Sequence, residues 1–84
     1  MNEGEIIQTI NDFIEAEFEV DQGRLIPSAN LKTTLELDSL DYIDLVVATE
    51  KNLHIKVDPS DFGDIHTLQN LYEYVIGKMK KGTE

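Results

Sequence analysis

The chain contains no cysteine, so disulfides and thiolate metal ligands are excluded. It has only two histidines, His54 and His66, too few and too isolated for a zinc site. No apolar run approaches the roughly 20 residues that span a bilayer. The opening MNEGEIIQTI lacks the basic stretch and long apolar run of a signal peptide. Bases are scarce, with 7 Lys and Arg against 17 Asp and Glu, for a net charge of −10. An acidic surface repels nucleic-acid phosphates. It attracts basic partners and speeds their encounter by about 10–1000-fold at low salt. Acidity also serves solubility alone, and charge by itself does not separate these readings. The expectation is a soluble, cytoplasmic protein without metal, nucleic acid or membrane span.

At 84 residues the chain suits one domain, taken as residues 1–84. Folding at this size buries only roughly 60% of the unfolded surface, so the core must be small and well packed. Four helical segments are predicted. In the first, Asn2 caps and Glu5 takes the third helical position. Ile6, Ile10, Phe13, Ile14 and Phe18 then recur at helical spacing. Residues 19–37 break that pattern through Gly23, Pro27, Ser28 and Asn30. Loops this long are usually functional or disordered. Leu25, Ile26, Leu31, Leu35 and Leu37 suggest one pinned onto the core.

The second helix is expected over residues 39–52, capped by Asp38 with Asp41 at its third position. On a wheel with about 100° per residue, Asp41, Asp44, Ala48, Lys51 and Asn52 form a narrow polar stripe. Tyr42, Leu45, Val46, Thr49 and Leu53 flank it on one side. Leu40, Ile43 and Val47 make a second apolar strip, free for a partner if the first faces the core. A short third helix opens at Asp58 and Pro59 and stops near Gly63. The fourth begins at Thr67 and places Leu68, Leu71, Tyr72, Val75, Ile76 and Met79 on one face. Residues 53–57, LHIKV, alternate like a strand but have no evident pairing partner. The fold class is therefore all-α: a small antiparallel four-helix bundle with a long first loop.

Ser39, between Asp38 and Leu40, is the residue that asks for chemistry. A catalytic serine needs a base and an oxyanion hole. Neither is evident, and flanking carboxylates oppose a developing oxyanion. The window from Asp58 is no calcium loop, because Phe62 takes a ligand position and the closing Glu is missing. By itself D-S-L reads as a helix cap. A hydroxyl at a helix start is also a good place to carry a phosphate, since the helix N–H groups and dipole stabilise the anion. Another enzyme could then supply the base and metal.

The stretch LELDSLDYIDLVVATEKNLHIKVDPSDFGDIHTLQNLYEYV, residues 35–75, resembles the acyl carrier protein family. The pattern is a leucine-bearing loop, D-S-L, an acidic and aliphatic helix, a short third helix and a last helix. The resemblance implies that Ser39 receives 4′-phosphopantetheine from coenzyme A through a phosphopantetheinyl transferase. The arm's thiol then carries acyl groups as thioesters, and the chain itself is not an enzyme. Asp38 matches the family aspartate that assists the transferase and its metal. Leu40, Asp41, Ile43, Asp44, Val47 and Glu50 match the helix that docks on basic patches of acyl-loading, ketosynthase and acyltransferase-type enzymes. A monomer is implied. Fatty-type carriers hold the chain between helices, which makes Val46, Leu71 and Val75 candidate lining residues.

Two features depart from the family pattern. The glycine often found two residues before D-S-L is Glu36 here, and the acidic run late in the docking helix gives way to Lys51, Asn52 and His54. The cargo expected is an intermediate of fatty acid, polyketide or related lipid or secondary-metabolite synthesis. Alternatives are an aminoacyl, D-alanyl or peptidyl carrier, or an unmodified carrier-fold binding subunit.

Overall fold

The computed structural model describes residues 2–82, with the backbone alone at Ser39 and Lys81. Helix α1 spans Glu3–Phe18 and opens on Asn2, whose Oδ1 accepts the Glu5 N–H at 2.8 Å. It buries Ile6, Ile10, Phe13 and Ile14, the stripe expected from spacing. Glu19 then turns left-handed at φ 55° and ends the helix.

The segment after α1 is more ordered than its composition suggested. A 3₁₀ turn at Gln22–Arg24 is capped by Asp21, and a one-turn helix α2 forms at Leu31–Thr34. Asn30, read above as a breaker, caps α2 instead: its Oδ1 accepts the Thr33 N–H at 3.0 Å. Val20, Leu25, Leu31, Leu35 and Leu37 are buried, so the segment is pinned as expected, and only Ile26 of the predicted anchors faces outward.

Glu36 stands just past α2 in the left-handed region, at φ 53°. The next N–H, from Leu37, reaches back to the Lys32 carbonyl at 3.0 Å. That six-to-one bond belongs to the Schellman ending, which normally wants glycine at the left-handed position. The turn delivers Leu37 to the core and Asp38 to the start of the next helix.

Helix α3 spans Ser39–Leu53 and packs on α1. Leu45, Val46, Ala48, Thr49 and Leu53 are buried along it. Ala48, placed above on the polar stripe, goes with the core, where a small apolar side chain has no reason to stay in water. The buried Thr49 hydroxyl donates to the Leu45 carbonyl at 2.7 Å, so it carries no unsatisfied polar group. His54 ends α3 at φ 54°.

The third helix of the sequence reading is a 3₁₀ segment, Pro59–Asp64, packed on α3. Six residues are too few to offset the cost of nucleating an α-helix, and the tighter i to i+3 bonds suit so short a piece. Helix α4, Leu68–Gly82, packs on α1. Its first N–H groups all find partners: Leu68 on Ala29 O at 3.0 Å, Gln69 on Pro27 O at 2.9 Å, and Asn70 on Thr67 Oγ1 at 3.2 Å. The loop before α2 thus caps α4 and locks the two ends of the chain's middle together. Among the described residues there is no strand, only an isolated Asn30–Thr67 bridge. In residues 53–57 the alternation serves burial of Leu53 and Val57 without pairing.

Candidate functional site

The site is the start of α3. One Asp38 carboxylate oxygen accepts the N–H groups of Leu40 and Asp41, both at 3.0 Å. The Asp41 carboxylate accepts the Asp38 N–H at 3.2 Å. This is the reciprocal capping box, and it holds the backbone on both sides of Ser39. Ser39 is the first residue of the helix, where the dipole's positive end favours an anion. The second Asp38 oxygen has no hydrogen bond to any described residue, and the carboxylate is exposed to solvent.

Four large apolar side chains are exposed among the described residues, and three are on α3: Leu40 at 72%, Ile43 at 55% and Val47 at 54%. The second apolar strip is therefore real, and no described residue buries it. Asp44 is exposed beside it and Asp41 is half-buried by its capping duty. Glu50 is placed differently. Its Oε2 accepts the Val57 N–H at 3.1 Å, so it ties down the segment after α3 as well as adding charge.

Tyr42, Ile43 and Val46 of α3 line one wall of a groove of about 380 Å³; Pro59, Phe62, Gly63, Ile65 and His66 complete it. These three α3 residues stand three, four and seven positions after Ser39, so the face that begins at Ser39 runs into the groove. Val46 is the one expected lining residue found there. Leu71 and Val75 are fully buried in the core instead, because α4 turns that face onto α1.

The outer wall is held by α4. The Phe62 and Tyr74 rings meet edge to face, 6.0 Å apart at 77°. The Tyr74 hydroxyl donates to Asp61 Oδ2 at 2.8 Å, and Lys78 Nζ lies 5.6 Å from the same ring. Burial, then the bond to Asp61 and its charge, push the Tyr74 hydroxyl up to about 12. Asp58 caps the segment, and the Ser60 N–H and hydroxyl hold its carboxyl below the usual range.

Sequence reasoning missed Tyr42 as a wall residue and missed Phe62, Gly63, Ile65 and His66 altogether. The register from Ser39 could have found Tyr42. The opposite wall depends on how the 3₁₀ segment packs, which no local spacing encodes. Among the described residues no group of three or more His, Asp or Glu is placed to hold a metal, and no helix is long and apolar enough to cross a membrane.

The chain is similar to known proteins along most of its length. Residues 8–75 match the family described as "Phosphopantetheine attachment site". An "Acyl carrier protein" of Thermotoga maritima is 32% identical over 75 residues, covering 89% of this chain and 93% of that protein. "Acyl carrier protein 2" of Ralstonia nicotianae is 31% identical over 68 residues, covering 81% and 84%. The "Acyl carrier protein" of Thermosynechococcus vestitus is 24% identical over 79 residues, covering 94% and 98%.

Proposed function

The chain belongs to the phosphopantetheine-attachment family of acyl carrier proteins, and from that premise we propose that Ser39 is the residue that takes the arm. The family's cofactor is phosphopantetheine, and its members are carriers rather than catalysts. In the transfer, the Ser39 oxygen forms a bond to the phosphopantetheine phosphorus of coenzyme A. The pyrophosphate bond breaks, the adenosine-bearing phosphate leaves, and a base of the transferase takes the serine proton. The observation that carries this reading is the Asp38–Asp41 box around Ser39. It presents the residue at a fixed, positively polarised helix start. The second Asp38 oxygen, without a bond to any described residue, is the one that meets the transferase's metal.

The loaded protein acts as a single cytoplasmic carrier domain that shuttles acyl intermediates of fatty acid, polyketide or related synthesis between enzymes. Leu40, Ile43 and Val47, with Asp41, Asp44 and Glu50, form its docking face. Magnitudes divide the labour. An exposed ion pair contributes about 0–1 kcal/mol, whereas burying one aliphatic side chain contributes about 1.5–3 kcal/mol. The apolar strip supplies most of the hold, and the acids supply fast, salt-sensitive encounter. The arm's acyl end rests in the groove below Ser39.

Incubation with coenzyme A and a broad-specificity transferase tests the reading. Intact mass rises by one phosphopantetheine, and Ser39→Ala abolishes the gain. No gain, or a gain that survives Ser39→Ala, overturns it.

A further inference from the structure

The groove beside α3 is apolar except at two places. Ile43, Val46, Phe62, Ile65 and the Pro59 ring provide its hydrocarbon surface. Tyr42 and His66, one half-buried and the other exposed, are the two lining residues whose side chains carry polar groups. The other two tyrosines of the chain have hydroxyls committed within the fold: Tyr72 donates to Asn11 Oδ1 at 2.5 Å and Tyr74 to Asp61 Oδ2 at 2.8 Å. The Tyr42 hydroxyl makes no hydrogen bond to any described residue, and neither does the His66 imidazole. His66 is anchored by its backbone alone, through its N–H to Asn70 Oδ1 and its carbonyl to the Leu31 N–H.

We infer that Tyr42 and His66 make this groove selective for an acyl chain that bears a hydroxyl or keto oxygen over a saturated chain of the same length. The inference rests on Ser39 as the attachment site. Tyr42 on α3 and His66 on the facing wall line the same groove, so a chain that occupies the groove meets both residues. Each group can donate or accept a hydrogen bond. A saturated chain that covers them leaves them unpaired, at a cost, while an oxygen-bearing chain satisfies them. Discrimination of this kind comes from the site's own polar groups, since an apolar pocket distinguishes such chains poorly.

The test loads the protein with octanoyl- or β-hydroxyoctanoyl-phosphopantetheine from the corresponding coenzyme A thioesters, with mass confirming each load. Thioester cleavage by hydroxylamine is then timed and normalised to the same thioester on free pantetheine. The β-hydroxyoctanoyl form is expected to be protected roughly 2- to 10-fold more than the octanoyl form, the effect of one ordinary hydrogen bond. Tyr42→Phe keeps the ring and removes that advantage, and His66→Leu reduces it; melting of the unloaded variants checks their folding. Equal protection of the two chains, better protection of octanoyl, or an advantage that survives both substitutions overturns the inference while leaving Ser39 as the carrier residue. Failure to load either chain overturns the attachment reading itself.

Discussion

Asp38 and Asp41 grip each other's backbone across the first turn of α3. The Asp38 carboxylate accepts the Asp41 N–H at 3.0 Å, and the Asp41 carboxylate accepts the Asp38 N–H at 3.2 Å. The residue enclosed by this exchange is Ser39. Fold and function thus use the same side chain in different ways. As a cap, Asp38 needs only an acceptor oxygen. In the transfer proposed above, as a helper of the transferase's metal, it would need its charge.

That division gives the first prediction. Asp38→Ala loses the cap and lowers stability by about 1 kcal/mol. Asp38→Asn retains an acceptor and keeps the melting temperature close to that of the parent. Both slow phosphopantetheine transfer, the asparagine variant by roughly tenfold or more, as for one lost contact to a charged group. Melting curves and timed mass spectra read the two effects separately. An asparagine variant modified at the parent rate would confine Asp38 to capping.

Glu36 carries the second prediction. Its φ of 53° lies in the left-handed region that favours glycine, yet it is occupied by an unbranched acid, just before the site. A side chain there costs about 1–2 kcal/mol. Replacing it by glycine gives back part of that, because glycine has more freedom to lose on folding, worth about 0.4–1 kcal/mol. Glu36→Gly is expected to stabilise by about 0.5–1 kcal/mol in denaturant titration, whereas Glu36→Ala stabilises little. Equal effects of the two would show that charge, not backbone strain, governs the position.

Glu36 also shows where the sequence was legible. The helices were readable because their apolar spacing and caps are local: Asn2, Asp38 and Asp58 all cap as composition suggests. The turn that aims α3 was not. Asn30 looks like a breaker until α2 forms behind it, and a glutamate does not announce a left-handed turn. Nor did Leu71 and Val75 reveal their depth. Their spacing marks an apolar face but not which neighbour takes it, and packing against α1 leaves the groove to Val46. Ser39 stood out through its neighbours' chemistry. The groove wall at Phe62 and His66 arises only when the 3₁₀ segment folds back on α3.

Alkaline pH provides the third prediction. Tyr74 in the fold titrates at about 12, above its ordinary 10.0, with burial and the Asp61 bond as the causes. A raised value means that the protonated form is favoured in the folded state. The stabilisation is therefore complete below pH about 10 and is lost as pH rises toward about 12. Tyr72, also pushed up, chiefly by burial, adds to the loss in the alkaline range. The denaturation midpoint of the parent falls steeply across this window, and Tyr74→Phe flattens the fall. A variant with the parent's alkaline slope would remove the Tyr74–Asp61 bond from the account.

The docking face yields the last prediction, because its two components respond differently to salt. Val47 is half exposed and Asp44 is exposed, so Val47→Ser and Asp44→Asn should each change stability by less than about 0.5 kcal/mol. Their effects on a partner diverge. Burial of Val47 against a partner is apolar, and Val47→Ser weakens binding to the transferase by roughly tenfold at any salt concentration. Asp44 acts through the field. Asp44→Asn slows association by a few-fold at low salt, and the difference vanishes near 1 M, where screening falls to about 3 Å. Association and dissociation rates measured across a salt series separate the two. Loss of the Val47 effect at high salt would mean that the strip only spaces the charges. An Asp44 effect that persists there would mean a buried contact, and would move the acid from steering the encounter to holding the complex.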